Sequence, residues 1–179
     1  AAVFAKSSRA CACGAGSADG DTDADTDSDT DSDTDSDADP TVEKYAVVVG
    51  CNNGLEYADD DANDWYDHLT NNSGYAAANV TLLLEDEATP DAVMQALRDT
   101  LAKADSNDIV TYATAGHGYG DGNGEAMLNY AGGELYDYDL MPILSGAAPQ
   151  IFVFIDHCFS GGFLPELSGL PNKNKIFFA

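Results

Sequence analysis

The sequence predicts an α/β fold in which helices flank a doubly wound, mainly parallel sheet. From residue 40 onward, short runs that are apolar at nearly every position alternate with segments of helical periodicity. Apolar runs without an in-out alternation are typical of strands that are buried on both faces. Their regular alternation with helical segments is typical of parallel sheets with helical connections.

The predicted strands are the apolar runs themselves. They lie at 45–49 (YAVVV), 80–84 (VTLLL), 109–112 (IVTY) and 151–155 (IFVFI), and 176–178 (IFF) begins a fifth. In doubly wound sheets the chemistry lies beyond the carboxyl ends of the strands. The residues that follow each run are therefore the first candidates for a functional site.

Two segments between the strands have the spacing of amphipathic helices. Both 58–69 and 90–104 place apolar residues on one stripe. Thr89 is the predicted N-cap of the second helix, and Pro90 at the first helical position supports the same start. The stripes consist of Ala58, Ala62, Trp65 and Leu69 in the first helix and of Val93, Met94, Leu97 and Leu101 in the second.

The charge of the chain is strongly negative. Its 179 residues include 32 acidic and 7 basic side chains, for a formal net charge of −25. This charge repels polyanions and excludes nucleic acid as a partner, whereas it suits cations or a basic substrate. No apolar run approaches the roughly 18 to 20 residues of a membrane span, so no transmembrane segment is predicted. The sequence carries no signal for an oligomeric state.

Three regions divide the chain. Residues 1–16 are predicted to be the remnant of a leader, since Cys11-Ala12-Cys13-Gly14 resembles the surroundings of a bacterial lipid-attachment cysteine. Residues 17–40 are predicted to be a disordered acidic linker, because they alternate Asp with Thr, Ser and Ala and lack large apolar side chains. Residues 41–179 are the predicted domain. A leader and a tether favour a secreted or cell-surface location over a cytoplasmic one.

Two of the predicted strands run into glycine-rich polar sequence. The strand at 109–112 leads into the segment TAGHGYG, and the strand at 151–155 is followed by DHCFSGG. Parallel strands end at the same edge of a sheet, which brings His117 close to Cys158. A cysteine nucleophile needs such a base, and flanking glycines allow a carbonyl substrate to approach closely. The backbone amides of Gly118 and Cys158 are the predicted donors to an oxyanion.

The Gly-His-Gly motif, followed about forty residues later by Asp-x-Cys-x-Ser-Gly, resembles the caspase-like cysteine peptidases. Metacaspases and bacterial caspase-domain proteins are the most similar members, and the likeness covers roughly residues 44–179. The resemblance implies an endopeptidase with His117 as base and Cys158 as nucleophile, and with no metal or organic cofactor in the chemistry. Relatives continue with further strands beyond the position of Ala179, so we expect a domain truncated at its C-terminus.

Calcium activates many metacaspases, so the resemblance implies it as a candidate activator and not as a catalytic group. The alternating oxygen ligands Asp121, Asn123 and Glu125 are one candidate site, and the acidic residues within 59–64 are another. A solvated polar surface is the simpler interpretation of both. The glycine-rich stretch at 118–122 is predicted to be a flexible loop beside the active site.

The other histidines, cysteines and serines near the motifs have simpler interpretations. His157 adjoins Cys158 and is an alternative base, although neighbouring side chains of an extended segment point to opposite faces. Cys51 ends the first strand without a nearby histidine motif and is predicted to be an inert thiol. His68 is predicted to pack or to face solvent, and Ser160 to shape a turn.

The charge inventory predicts a basic residue before the cleaved bond. Residues 40–179 contain 21 acidic and 5 basic side chains, and their one arginine, Arg98, lies on the second helix away from both motifs. Asp156 lies two residues before Cys158 and faces the same side of the strand. The resemblance to metacaspases assigns Asp156, and with it Asp61, to the pocket for a cationic side chain. The expected substrate is a protein or peptide that is cleaved after Arg or Lys. Two alternatives stay open, namely a legumain-like peptidase that cleaves after Asn and a non-catalytic caspase-like binding module.

Overall fold

The structure is a computed structural model that describes residues 41–120, 126–145, 149–169 and 175–178. The predicted leader and acidic linker lie outside these residues, as does the candidate calcium site at 121–125. None of the helices in the described part of the chain combines the length and the apolar character that a membrane span requires.

The described residues contain the five strands and the two helices that the sequence predicts, together with elements that it does not. The strands are β1 (Lys44–Cys51), β2 (Val80–Leu84), β3 (Ile109–Gly116), β4 (Gly118–Gly120), β5 (Ala126–Tyr130), β6 (Gly133–Tyr136), β7 (Gln150–His157) and β8 (Lys175–Phe178). The helices are α1 (Ala58–Asn72), α2 (Pro90–Leu101), α3 (Asp137–Ser145) and α4 (Leu164–Ser168). As predicted, α2 begins at Pro90, and its N-cap Thr89 accepts a hydrogen bond from the amide of Ala92 at 3.2 Å.

Five strands form one parallel sheet in the order β2-β1-β3-β7-β8. Along the sequence, β2 is added to one side of β1, and β3, β7 and β8 are then added in turn to its other side. Helices lie on both faces, which confirms the predicted doubly wound α/β fold. The direction of winding reverses between β1 and β3, and sheets of this kind hold their ligands at that reversal.

Each face of the sheet has its own core. On one face, α1 packs Ala62 and Leu69 against Ala46 and Val48. Gly50 allows this close packing, because a β-carbon at this position would lie 2.5 Å from the carbonyl oxygen of Ala58. The larger core on the other face joins the sheet to α2, α3 and α4 through Val47, Val49, Val93, Leu97, Leu140, Leu144, Phe163 and Leu167.

A small antiparallel sheet of β4, β5 and β6 follows β3 in the sequence. The prediction of a flexible loop at 118–122 is wrong for its first three residues, because Gly118–Gly120 pairs with β5. Antiparallel backbone hydrogen bonds hold this glycine-rich segment in an extended conformation. The sequence patterns also miss α3, which contains Pro142, and the five-residue α4.

Candidate active site

His117 and Cys158 follow directly after two neighbouring strands. The last residues of these strands, Gly116 of β3 and His157 of β7, are partners in the parallel ladder. Because the register is in phase, the next residue of each chain segment emerges at the same edge of the sheet. His117 and Cys158 line one open pocket of about 360 Å³, together with residues from the segment between β1 and α1.

The two described cysteines have opposite surroundings. Cys158 is a free, exposed thiol at the pocket, whereas Cys51 is buried beneath the sheet edge. Burial, with a further contribution from Glu85, raises the pKa of the Cys51 thiol. A thiol with a raised pKa carries little of the reactive thiolate, so Cys51 has the surroundings of the inert thiol that was predicted.

The main chain of His117 is held from two sides. Its carbonyl oxygen accepts a hydrogen bond from the amide of Asn129 at 2.8 Å and lies 2.7 Å from Nδ1 of His157. Its half-buried imidazole lies beside Tyr119, with ring centroids 6.1 Å apart. Within the described residues, no hydrogen bond joins the imidazole to Cys158; hydrogen bonds between catalytic groups commonly tighten only when substrate binds.

His157 does not have the geometry of a base for Cys158 in this structure, which favours His117 as the predicted base. Its side chain is 6% exposed, and Nε2 lies 2.9 Å from the hydroxyl of Thr114 while Nδ1 contacts the carbonyl of His117. Both ring nitrogens are therefore occupied inside the protein. Burial lowers the pKa of His157 to about 4, so the ring is neutral at pH 7.

Gly118 lies directly against the backbone of Cys158. A β-carbon at Gly118 would lie 1.9 Å from the carbonyl oxygen of Cys158 and 2.9 Å from Cβ of His157. A contact under 3 Å is sterically forbidden for any L side chain here, so glycine is required for β4 to pass the main chain of Cys158. The two residues whose amides were predicted to bind an oxyanion thus touch one another.

Asp61 on α1 and Asp156 on β7 line the same pocket as the cysteine and the histidine. Desolvation and then the nearby Asp156 raise the pKa of the Asp61 carboxyl, and Asp64 contributes in the same direction. No lysine or arginine lines this pocket in the described part of the chain. Lys44 is engaged elsewhere, since its Nζ donates to the carbonyl of Ser73 at 2.7 Å.

A second cavity of about 280 Å³ is lined by residues of α1 and β7. Asp61 and Asp156 line both cavities, and Trp65 and Phe154 form an apolar wall of the second, with ring centroids 4.9 Å apart. Trp65 was predicted only as a residue of the helical stripe. Its side chain is only partly buried, so part of the ring is accessible from this cavity.

Asn52 is a structural residue of the site that the sequence analysis missed. Its Oδ1 accepts the amide of Ala58 at 2.7 Å, and its Nδ2 donates to the Asp59 carboxylate at 2.7 Å. It thereby caps α1 from six residues upstream and holds the segment 53–57, part of which lines the pocket. Only its place between a strand and a helix start could have indicated this role.

No group of three or more His, Cys, Asp or Glu side chains converges on a metal position within the described residues, the acidic run of α1 included. Calcium at 121–125 stays a prediction. Ser160 is buried in the short 3₁₀ turn Ser160–Phe163, which begins two residues after Cys158, in keeping with its predicted role in a turn. Phe159, between Cys158 and this turn, is 65% exposed and has a positive φ of 61°.

Comparison with known proteins gives a fold relationship only. No protein-family model matches the chain, and no curated protein matches it. Among solved structures, it is similar to protein GSU0716 from Geobacter sulfurreducens, with a TM-score of 0.57 and 22% identity over 75% of this chain. The chain spans 57% of the length of that protein. At this level of identity the likeness supports the α/β fold and does not extend to function.

Proposed function

We propose that the protein is a cysteine endopeptidase that cleaves after Arg or Lys, with Cys158 as nucleophile and His117 as base. One observation carries this proposal. A single pocket is lined by an exposed thiol, an imidazole and two carboxylates, which are the groups needed to attack a peptide carbonyl and to hold a cationic side chain beside it.

In the proposed reaction, His117 takes the thiol proton, and the Cys158 thiolate attacks the carbonyl carbon of the substrate. The negative oxygen that forms is stabilised by the amides of Gly118 and Cys158. The tetrahedral intermediate collapses when the C–N bond breaks and the imidazolium of His117 gives its proton to the leaving amine. A water molecule, deprotonated by His117, then hydrolyses the thioester and restores the thiol.

The preference for a basic side chain follows from the charges around the thiol. Asp156 lies on β7 two residues before Cys158, about 7 Å along an extended chain, and strand alternation directs both side chains to the same side. An extended Arg or Lys side chain spans this distance and brings its charge between Asp61 and Asp156. An Asp or Glu side chain would instead meet two carboxylates in the described pocket and no cation.

The test is hydrolysis of four fluorogenic peptides that differ only in the last residue before the bond, which is Arg, Lys, Asn or Asp. We expect Arg and Lys to be cleaved. We expect Cys158→Ala and His117→Ala each to reduce kcat by more than about a thousandfold, and Cys51→Ala to leave it unchanged. A peptide acyloxymethyl-ketone probe is expected to label Cys158, as located by mass spectrometry.

The acidic pocket is tested by Asp156→Asn, which removes one charge next to the thiol. We expect kcat/KM for the Arg peptide to fall roughly tenfold or more, the usual effect of losing a charge-assisted hydrogen bond. Asp67→Asn is the matched control, because Asp67 is an exposed residue of α1 that lines neither cavity. Preference for the Asp peptide would refute the pocket assignment, and preference for Asn would favour the legumain-like alternative. If the probe does not label Cys158 and none of the peptides is cleaved, the result would favour a binding module.

A further inference from the structure

A chain of hydrogen bonds runs from the core to the main chain of His117. The hydroxyls of Tyr112 and Tyr130 are 2.6 Å apart, that of Tyr130 lies 2.7 Å from the Thr114 hydroxyl, and Thr114 lies 2.9 Å from Nε2 of His157. The last link is the 2.7 Å contact between Nδ1 of His157 and the carbonyl oxygen of His117. Every side chain in it is buried.

The donor and acceptor of each hydrogen bond follow from the group at the end of this chain, the carbonyl of His117. A carbonyl oxygen can only accept, so Nδ1 of His157 carries the proton and donates it. Because burial keeps the ring neutral, Nε2 carries no proton and must accept from the Thr114 hydroxyl. Thr114 therefore accepts from Tyr130, and Tyr130 accepts from Tyr112. The chain of donors thus points in one direction, toward His117.

We propose that His157 is a positioning residue for the candidate base, which it holds by its hydrogen bond to the carbonyl of His117. The inference rests on the proposed function in that His117 is taken as the base for Cys158. The carbonyl is held between β5, through the Asn129 amide, and β7, through His157. Since two elements fix this carbonyl group, the imidazole on the adjoining Cα of His117 has a defined place in the pocket that Cys158 also lines.

The Thr114 hydroxyl, which can donate or accept, stabilises the tautomer that the His117 carbonyl selects. With Thr114 donating to Nε2, the proton of the neutral ring must lie on Nδ1, where it serves the His117 carbonyl. A neutral His157 also places no positive charge beside His117, so His117 can take up the proton of Cys158 without repulsion. His157, although it directly precedes Cys158, thus positions the base His117 and does not act on the thiol.

Four variants test the clamp. His157→Ala removes it, whereas His157→Asn keeps a donor in the position of Nδ1, because the amide nitrogen of Asn is also bonded to Cγ. Thr114→Val removes the hydroxyl with little change in shape, and Thr114→Ser keeps it. We expect kcat for the Arg peptide to fall about 10- to 100-fold in His157→Ala, with KM nearly unchanged, as for a misplaced catalytic group. We expect His157→Asn and Thr114→Ser to stay within a few-fold of the parent and Thr114→Val to fall in the same direction as His157→Ala.

Two measurements do not depend on peptide hydrolysis. The first is the rate of alkylation of Cys158 by iodoacetamide against pH, followed by mass spectrometry of the modified peptide. The second is the ¹⁵N NMR spectrum of His157, in which a protonated Nδ1 and an unprotonated Nε2 are expected in the parent protein. We expect slower alkylation near pH 7 in His157→Ala and in Thr114→Val, and near-parental rates in the two conservative variants.

The outcomes separate this inference from the proposed function. If the protein hydrolyses no peptide but alkylation and tautomer follow the expected pattern, the clamp stands and the peptidase proposal fails. If His157→Ala, folded by circular dichroism, matches the parent in both kcat and alkylation, the clamp is refuted. Should His157→Ala fail to fold, the comparison of Thr114→Val with Thr114→Ser decides in its place. A proton on Nε2 in the parent protein would refute the assigned direction.

Discussion

The burial of His157 predicts a measurable loss of stability in mild acid. Burial lowers the pKa of this ring from its ordinary 6.5 to about 4 in the folded protein. Between these values the unfolded chain binds a proton that the folded protein does not, so unfolding becomes easier as the pH falls. The stabilising contribution is complete above about pH 6.5 and is lost progressively as the pH falls to about 4.

The size of the effect follows from the same two values. One unit of pKa difference corresponds to about 1.4 kcal/mol, so the fall from 6.5 to about 4 corresponds to roughly 3 kcal/mol for the whole interval. About 2 kcal/mol of this is lost by pH 5, according to the two-state proton-binding relation. Such a loss is a large part of the stability of an ordinary domain.

The assay is urea unfolding at several pH values, monitored by the fluorescence of Trp65, the one tryptophan of the chain. The many carboxylates also titrate in this range, so the quantity of interest is the difference between the parent protein and His157→Asn. We expect this difference to shrink by about 2 kcal/mol between pH 8 and pH 5. His68→Gln, at an exposed position of α1, is the control and is expected to run parallel to the parent. If the free energy of unfolding of His157→Asn instead changes with pH in parallel with that of the parent protein, the ring has the same pKa in the folded and unfolded states. That result would refute the burial of His157.

Three further predictions concern Gly118 beside the pocket and the side-chain caps at the starts of α1 and α2. Gly118→Ala is expected to lower the melting temperature and abolish activity, because its β-carbon would lie 1.9 Å from the carbonyl oxygen of Cys158. In the control Gly161→Ala the β-carbon meets nothing within 4 Å, so this variant should be tolerated. Equal melting temperatures for the two variants would contradict the close approach at Gly118. Asn52→Ala is expected to cost about 1 to 2 kcal/mol in urea unfolding, since it removes the acceptor of the first α1 amides, and an unchanged midpoint would count against this cap. Thr89→Ala is expected to cost about 1 kcal/mol through loss of the α2 N-cap, and Thr89→Ser to restore most of it.

Much of the fold was predictable because its signals are local. The apolar runs of β1 and β3 are buried on both faces, so their composition identifies them without knowledge of their neighbours. The run of β7 is fully buried on one face only, yet it is apolar at every position from Ile151 to Ile155. Thr89 and Pro90 mark the start of α2 in the same way. The small sheet was missed because Gly118–Gly120 has no strand propensity of its own and is extended only through its pairing with β5.

The candidate site was predictable in part for a similar reason. Two glycine-flanked motifs at the ends of parallel strands must meet at one edge, and His117 and Cys158 do line one pocket. Asp61 could be assigned to that pocket only through the resemblance to metacaspases. A run of aspartates on one helix has no periodicity that distinguishes one of them. Desolvation, and then the carboxylate of Asp156 on a different element, raise the pKa of Asp61.

The sequence by itself determined the parallel α/β architecture, the edge at which chemistry is expected and the sign of the charge around it. These are properties of periodicity, composition and strand direction. Only the tertiary structure decided what His157 does, because its partner Thr114 is 43 residues away in the chain. Which groups a buried side chain meets depends on strand order and register, and these are set by the packing of the whole sheet. In the sequence alone, His157 is a second histidine beside a cysteine. In the fold its ring is buried and contacts the main chain of His117.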